Sequence, residues 1–316
     1  MKIGILCYPT YGGSGIVATE LGMSLANKGY EVHFISSNLP ARLDITNPNI
    51  FFHKVNVQTY PLFQYQPYDI ALSSMIYRVV NLYKLDLLHA HYAIPYAYAA
   101  FTAKQMLKEE GKDIPLVTTL HGTDITLVGQ HPSYKHAVEF SINQSDTITS
   151  VSESLKKDTL QIFNIKKEIK VITNFIDNTE FDDFNECSRR QFATDDEKIL
   201  IHVSNLRPVK RIEDVLEIFK DVEKHVKSKL IIIGEGPDME KVNGFLEENP
   251  NLINKIRLLG KVNDLYRILQ LSDVFLLPSE QESFGLAALE AMAAHTPVIS
   301  SNAGGIPEVN IQGETE

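Results

Sequence analysis

The sequence predicts an α/β protein made of two doubly wound domains, each with a parallel sheet between two layers of helices. Three observations support this fold class. Short β-branched runs alternate with helical patterns along most of the 316 residues, as is typical of parallel sheets. The alternation restarts after the polar stretch Asn174–Glu197. The chain is also longer than one ordinary hydrophobic core requires, which favours two domains.

The first domain is predicted to span residues 1–173. Its predicted strands are the short apolar runs Lys2–Cys7, Val32–Ser36, Leu85–His89, Leu116–Leu120, Thr147–Val151 and Lys170–Ile172. Periodic apolar residues between these runs predict the helices Ile16–Lys28, Ala71–Tyr83, Ala97–Glu110 and Tyr134–Gln144. A strand, a helix and a further strand in succession form the unit from which parallel sheets are built.

The second domain is predicted to span residues 174–316, with Asn174–Glu197 as the boundary and part of the linker. Its predicted strands are Lys198–Val203, Lys229–Ile233, Ile256–Leu259, Val274–Leu277 and Val298–Ser300. Its predicted helices are Ile212–His225, Met239–Glu247, Leu265–Leu271 and Gly285–Ala294. No closing helices follow the last strand, so C-terminal helices are expected to be missing. Because open parallel sheets bind ligands beyond the carboxyl ends of their strands, both domains are expected to face a cleft there.

Composition and charge narrow the class of protein. The formal net charge of −10 disfavours a nucleic-acid partner, whose phosphates require a broad basic surface. The two cysteines, Cys7 and Cys187, provide neither a disulfide framework nor a zinc spacing, which fits a reducing cytosol. We expect no signal peptide, and no apolar run in the sequence reaches membrane-spanning length. We therefore expect a cytoplasmic protein without nucleic-acid or membrane partners.

The segment Glu282–Glu290 places one carboxylate before a predicted helix and a second carboxylate two turns inside it. The first N–H groups of a helix lack intrahelical partners and attract anions such as a diphosphate. Carboxylates beside that helix end would suit neutral sugar hydroxyls. The combination indicates a nucleotide-sugar site, although an amphipathic helix with two solvated acids explains the same residues.

A glycine-rich loop, Tyr11–Ala18, follows the first strand and opens the first helix. Gly13, Gly15 and Ala18 fit the spacing of a dinucleotide-binding loop. The second strand ends at Ile35–Asn38 without the acid that would bind the ribose of NAD. A general anion-binding loop is therefore favoured over an NAD site, and a tight turn that needs glycine is the structural alternative.

Histidines cluster near the ends of two predicted strands of the first domain. His121 follows the strand Leu116–Leu120, and Asp124 is expected to orient its ring. His89, His91 and Tyr92 lie at and beyond the end of the neighbouring strand. A zinc site is disfavoured because no companion ligand spacing is present. Polar lining of the ligand site is favoured, with His89 packed inside.

Arg207, Lys210 and Arg211 form a basic turn after the strand Lys198–Val203 in an otherwise acidic chain. Cations there would neutralise a diphosphate leaving group, while a solvated basic turn is the alternative. Gly234–Pro237 ends the next strand and would let backbone approach a ligand. The chain has no GxxxxGK[ST] loop and no D-x-D pair. Leaving-group charge is therefore expected to be met by lysine, arginine and helix ends, without a metal.

Together these motifs resemble the retaining glycosyltransferases of family 4, which have the GT-B fold of two Rossmann-like domains. The C-terminal motifs that carry the resemblance are Glu282–Glu290, Thr296–Ile299 and Gly304–Glu308. In the N-terminal half, several strings are similar to the family members that act in bacillithiol biosynthesis. These strings are Cys7–Pro9, Gly12–Gly15, Phe63–Tyr65, His91–Pro95, Thr118–Thr126 and Asn174–Asp177.

The resemblance implies transfer of N-acetylglucosamine from UDP-N-acetylglucosamine to the hydroxyl of L-malate, with retention and without a cofactor or metal, by a homodimer. It implies catalytic roles for His121, Lys210 and Glu282. The implied donor-binding residues are Asn205, Arg207, Lys210, Arg211, Gly234, Glu282, Ser283, Phe284, Gly285, Leu286 and Glu290. The implied acceptor-binding residues are Gly13, Ser14, Gly15, Tyr92 and Thr119. Asn205 is a departure, since many family members have arginine there.

Three other functions stay open at the level of sequence. The first is a family 4 glycosyltransferase whose acceptor is another sugar or a lipid. The second is an NAD-dependent oxidoreductase, suggested by the glycine-rich loop. The third is a protein that binds a nucleotide sugar without turnover.

Overall fold

The computed structural model describes residues 1–176, 189–262 and 264–315. The chain divides into two compact units, Met1–Phe175 and Ile176–Glu316. Each has its own parallel sheet and its own hydrophobic core, so the predicted α/β class with two doubly wound sheets is confirmed. Half of the predicted linker, together with Cys187, lies outside the described residues.

The first unit contains a seven-stranded sheet in the order β3-β2-β1-β4-β5-β6-β7, and all pairs are parallel. The strands are β1 Lys2–Leu6, β2 Glu31–Ser36, β3 Ile50–Lys54, β4 Leu87–His91, β5 Leu116–Leu120, β6 Thr147–Ser150 and β7 Ile169–Val171. The helices are α1 Gly13–Asn27, α2 Tyr68–Tyr83, α3 Tyr98–Glu109, α4 Pro132–Gln144 and α5 Glu153–Ile162. The edge strand β3 and the helix α5 were not among the predicted elements.

The second unit contains a five-stranded sheet in the order β10-β9-β8-β11-β12, again with parallel pairs. The strands are β8 Lys198–Val203, β9 Ser228–Ile233, β10 Ile256–Gly260, β11 Val274–Leu277 and β12 Val298–Ser300. The helices are α6 Ile212–Val222, α7 Met239–Glu248, α8 Leu265–Gln270 and α9 Leu286–Ala293. Within the described ranges, no helix is long and apolar enough to cross a membrane.

Both sheets reverse their strand order at one point. In the first unit the chain builds β1, β2 and β3 outward, and β4 then returns to the other side of β1. In the second unit β11 returns in the same way to the other side of β8. The loops that follow β1 and β4, and those that follow β8 and β11, therefore diverge and leave a crevice at each sheet's carboxyl edge. Most of the predicted site residues lie in these loops.

Candidate active site

The glycine-rich loop after β1 leads into α1 at the reversal point of the first sheet. Gly13 is the first helical residue, and the Gly12 carbonyl accepts the N–H groups of Gly15 at 2.9 Å and Ile16 at 3.1 Å. A Cβ on Gly15 would lie 2.3 Å from the Thr10 carbonyl oxygen, so only glycine fits there. The first turn of α1 carries no acidic side chain. The predicted residues Gly13, Ser14 and Gly15 therefore lie at a helix end suited to an anion.

Three histidines, two in β4 and one directly after β5, form a stack. The ring centroids of His89 and His91 are 4.4 Å apart, and those of His91 and His121 are 5.1 Å apart. The Nδ1 atom of His91 lies 2.9 Å from Nε2 of His121, so one nitrogen donates a hydrogen bond to the other. The predicted strand ended at His89, two residues before the end of β4, and Tyr92 follows the strand as predicted. His89 and His91 both belong to β4, which extends to His91.

Burial keeps this stack uncharged at neutral pH. It lowers the pKa of His89 to about 4 and the pKa of His121 to about 3. His91 is 1% exposed, and its pKa falls well below 6.5 because of burial and the neighbouring histidines. His89 keeps some exposure, while its ring stacks on that of His91 and its Nε2 lies 2.7 Å from the Thr119 hydroxyl. A neutral imidazole at position 121 is a hydrogen-bonding group rather than a cation.

Asp124 does not orient the His121 ring, and that prediction is wrong. Its carboxylate accepts backbone N–H groups instead, from Ala93 at 2.9 Å, Gly122 at 3.0 Å and His121 at 3.3 Å. The side chain is buried, and its pKa is raised to about 6 by that burial in spite of the three N–H donors. Asp124 thus ties the loop after β4 to the loop after β5.

Tyr92 and Thr119 are the other predicted acceptor residues. Tyr92 directly follows β4, and Thr119 lies in β5. Tyr92 has φ of 90°, an uncommon conformation for a residue with a side chain, and its ring is 5.4 Å from that of His121. The Thr119 hydroxyl lies 2.7 Å from both His89 Nε2 and the Thr149 hydroxyl. Sequence reasoning missed Tyr8, whose ring meets Tyr92 edge-on at 5.2 Å. The position of Tyr8 just after β1 was the sequence signal that could have assigned it to the site.

In the second unit, the structure brings together the basic turn after β8 and the loop after β11. Lys210 forms an ion pair with Glu282 Oε1, and the Ser279 hydroxyl donates to the same oxygen at 3.2 Å. Both charged side chains are less than one-fifth exposed, at 18% for Lys210 and 15% for Glu282. The Glu280 N–H donates to the Val209 carbonyl at 2.8 Å, which joins the two loops by their backbones. A cation and a carboxylate are therefore held side by side.

The other members of the basic turn are exposed. The Arg211 guanidinium makes two bonds to Asp214, at 2.9 Å and 3.0 Å, and so is already engaged by a carboxylate. Asn205 and Arg207 lie at the surface next to the short helical turn Pro208–Lys210.

The helix α9 begins directly beyond Glu282. Gly285 caps it with φ of 92°, and Leu286 is its first residue. Ser283 is partly exposed, whereas Phe284 is buried in the unit. Glu290 lies one turn into the helix and is 6% exposed, so it is held within the structure rather than solvated. This excludes the alternative of two solvated acids on an amphipathic helix.

Glycines hold these loops against one another. A Cβ on Gly234 would lie 1.7 Å from the Ser204 carbonyl oxygen, and a Cβ on Gly304 would lie 1.9 Å from the Glu282 carbonyl oxygen. The Gly305 N–H donates to that Glu282 oxygen at 2.8 Å. Gly234 therefore packs directly against the loop that leads to Lys210, and Gly304 fixes Glu282 from the opposite side.

His202 is a supporting residue that sequence reasoning did not find. It is fully buried in β8, with Nδ1 2.9 Å from the Leu276 carbonyl and Nε2 2.8 Å from the Ser204 hydroxyl. The Ser204 oxygen in turn accepts the Leu206 N–H at 3.2 Å. This chain of bonds connects β11 to the start of the basic turn. In the part of the chain that the structure describes, no group of three histidine, cysteine or carboxylate side chains is arranged to hold a metal.

Two doubly wound units, with a lysine–carboxylate pair beside a helix end in the second, define a glycosyltransferase of the GT-B fold class. Family models agree with this class. Residues 11–180 match the model described as glycosyltransferase family 4, and residues 183–316 match the model of glycosyl transferases group 1. The chain belongs to glycosyltransferase family 4.

Known proteins of this family resemble the chain over nearly its full length. N-acetyl-alpha-D-glucosaminyl L-malate synthase of Bacillus anthracis is 46% identical over 317 residues, which cover 100% of this chain and 82% of that protein. An uncharacterized glycosyltransferase of Methanocaldococcus jannaschii is 30% identical, with coverage of 98% and 82% respectively. The crystal structure of Anabaena HepE in complex with UDP and glucose has a TM-score of 0.78 at 19% identity, and the match covers 99% of this chain and 84% of that chain.

Proposed function

We propose that this chain is a retaining glycosyltransferase that moves N-acetylglucosamine from UDP-N-acetylglucosamine to the hydroxyl of L-malate. The observation that carries the proposal is the 46% identity to N-acetyl-alpha-D-glucosaminyl L-malate synthase, which extends over the whole chain. The reaction would be the first step of bacillithiol biosynthesis. No cofactor or metal ion is part of the proposal.

The donor would bind at the second unit. The N-terminus of α9, with the backbone of Ser283–Leu286, presents N–H groups to the diphosphate. Lys210 supplies a cation at the same place, and its bond to Glu282 keeps the ammonium directed toward the loop before α9. Glu282 would accept the sugar hydroxyls, and Glu290 the ribose hydroxyls of UDP. Arg207 would add the second cation, since Arg211 is already bonded to Asp214.

The acceptor would bind at the first unit. Malate carries two carboxylates, and the N-terminus of α1 at Gly13–Gly15 offers N–H groups and a positive dipole to one of them. Tyr92 and Thr119 lie on the neighbouring strand ends. His121 would contact the transferred sugar near its 6-hydroxyl. Its neutral state suits a hydrogen bond to a hydroxyl rather than proton transfer.

The proposed mechanism is a front-face displacement. The bond from the anomeric carbon to the phosphate oxygen breaks, and the malate hydroxyl oxygen attacks the same face. The hydroxyl proton passes to the departing diphosphate, which leaves as UDP. Catalysis then comes from positioning and from neutralisation of the leaving group by Lys210 and the helix end.

Release of UDP, measured with and without malate, tests the reaction directly. We expect release that depends on malate, an α-configured product by NMR and full activity in EDTA.

A panel of sugar and lipid acceptors tests the choice of acceptor, and titration with NADH tests the oxidoreductase alternative. UDP binding without any turnover would favour a binding protein. Light scattering tests the implied homodimer.

The electrostatic basis of donor binding has its own test. Lys210→Ala combined with Glu290→Gln is expected to weaken UDP affinity by at least about a hundredfold, because a charged hydrogen bond is lost at each end of the nucleotide. Calorimetry measures this affinity. Unchanged UDP binding in the double variant, or loss of turnover in EDTA, would contradict the proposal.

A further inference from the structure

The bond between His91 and His121 joins two neutral rings and leaves one nitrogen of His91 unaccounted for. Nδ1 of His91 and Nε2 of His121 are 2.9 Å apart. Nε2 of His91 is buried and has no hydrogen-bond partner among the described residues. His91 lies in β4 and His121 follows β5, so the pair joins two neighbouring strands of the sheet.

A shared proton fixes the tautomer of both rings, and two arrangements are available. In the first, His91 carries its proton on Nδ1 and donates it to His121 Nε2. In the second, His121 donates from Nε2, and His91 must carry its own proton on Nε2. The second arrangement buries an N–H donor without an acceptor, which folded proteins strongly avoid. The first leaves only an unpaired acceptor lone pair on His91.

We propose that His91 is a positioning residue that holds His121 in the tautomer with its proton on Nδ1, so that Nδ1–H donates a hydrogen bond to the bound substrate. The inference rests on the proposed function for the identity of that substrate, a sugar hydroxyl. His121 is partly exposed, whereas His91 is enclosed. His91 therefore acts through His121 and does not itself reach the substrate.

The surroundings of the pair support a positioning role. The rings of His89 and Tyr92 lie against the pair, with centroids 4.4 Å from His91 and 5.4 Å from His121. This stacking restricts ring rotation, and the bond from His91 then selects which edge of His121 faces outward. Burial keeps both rings neutral, so each has one donor and one acceptor nitrogen at neutral pH.

Long-range proton–nitrogen NMR of the wild-type protein at pH 7.5 reads the tautomers directly. We expect the proton of His121 on Nδ1 and its Nε2 unprotonated, with the proton of His91 also on Nδ1. His91→Phe and His121→Ala assign the signals. A His121 proton on Nε2 would overturn the inference. This spectrum needs no substrate, so it stands even if the malate reaction fails.

Kinetics test the consequence. His91→Phe keeps an aromatic ring but has no donor, and it should lower kcat about tenfold with a change in KM for malate below about threefold. His91→Asn places an amide N–H near the position of Nδ1 and should restore kcat to within about threefold of wild type. In a His121→Ala background, His91→Phe should have less than about a twofold further effect.

Three kinetic results would contradict a positioning role. They are a wild-type kcat in His91→Phe, an Asn variant as impaired as the Phe variant, and a full tenfold loss that persists in the His121→Ala background. Absence of malate-dependent turnover in the wild type would instead count against the proposed function. The two failures are therefore distinguishable.

Discussion

Asp124 shows how one buried side chain shapes the proposed acceptor site. Its two oxygens accept N–H groups from Ala93, Gly122 and His121, which belong to loops after different strands. Because the acceptor is a carboxylate, each of these hydrogen bonds is stronger than one between neutral groups. The geometry of His121 therefore depends on a residue that does not touch its ring.

Asp124→Asn is expected to destabilise the first unit by about 2–3 kcal/mol, since the amide replaces an acceptor oxygen with a donor that faces backbone N–H groups. It should also lower turnover, because the loop that carries His121 loses its anchor. Urea denaturation and UDP release measure the two effects. Glu109→Gln, an exposed acid on α3, is the matched control and should change stability by less than about 0.5 kcal/mol. Equal stabilities of the two variants would contradict this role.

The two arginines of the basic turn, Arg207 and Arg211, are expected to have different roles. Arg211 is bonded to Asp214, whereas the proposed diphosphate cation is Arg207. Arg207→Ala should therefore raise the Kd for UDP about tenfold, through loss of a charged hydrogen bond. Arg211→Ala is the control and should stay within about threefold, since an exposed ion pair contributes little. Calorimetry with UDP decides, and a larger effect at Arg211 would reverse the assignment.

Sequence identified the residue types at both sites but not their contacts. Strand ends marked His121 and Lys210, because parallel sheets bind ligands there, and the position before a helix end marked Glu282. The bond from His91 to His121 depends on the register of β4 against β5, which pairs His91 with Thr119. No local pattern encodes a contact between residues that are 30 positions apart in the chain. The same holds for Asp124 and its partner Ala93.

At the scale of elements, every observed strand except β3 and every observed helix of eight or more residues except α5 was predicted from the sequence. β5, β8 and β11 have the bounds that the sequence predicts, because their apolar residues are mostly buried inside a sheet. The edge strand β12 also has its predicted bounds, although Ile299 is exposed. β3 reads Ile-Phe-Phe-His-Lys and lies at the sheet edge, where burial is partial. α5 is largely polar and buries only Leu155 and Thr159, so few apolar residues mark it as a helix. Both missed elements lack a strong hydrophobic pattern.

The loop after β12 packs against the proposed donor site through Gly304. Gly304→Ala would place a methyl group 1.9 Å from the Glu282 carbonyl oxygen at φ of 58°. We expect a loss of at least about 2 kcal/mol in the second unit and weaker UDP binding, because the loop that carries Glu282 must move. Denaturation and calorimetry measure both quantities.

Gly313→Ala is the matched control for this substitution. Its φ of 78° is also left-handed, but a Cβ there meets nothing within 4 Å. It should cost only the conformational strain of about 1–2 kcal/mol and leave UDP affinity unchanged. If the two variants bind UDP equally well, the contact between Gly304 and Glu282 does not support the site.

Over the whole molecule, buried histidines couple stability to pH. Among the described residues, burial lowers the pKa of His33, His53, His89, His91 and His121 in the first unit, and of His202 in the second. Each folded pKa is below the unfolded value near 6.5, so the unfolded chain binds more protons as pH falls through that value. Stability is therefore fully present above pH 6.5 and is lost as pH falls toward 4. The pKa of Asp124 is raised to about 6, so its contribution to stability changes with pH in the opposite direction and offsets that of one histidine.

The first unit should therefore lose stability more steeply than the second between pH 7 and pH 5. Each histidine that stays neutral in the folded state lowers the free energy of unfolding by about 1.4 kcal/mol for each pH unit below its unfolded pKa. With five such groups against one opposing carboxylate, we expect the first unit to lose at least about 2 kcal/mol over this range. Urea denaturation of the whole chain at half-unit pH steps, followed by hydrogen exchange in each unit, measures the loss. His202→Gln should flatten the smaller dependence of the second unit and leave that of the first unchanged. Stability that stays constant from pH 7 to pH 5 in the first unit would mean that these histidines bind protons equally in the folded and unfolded states, so that burial does not lower their pKa values.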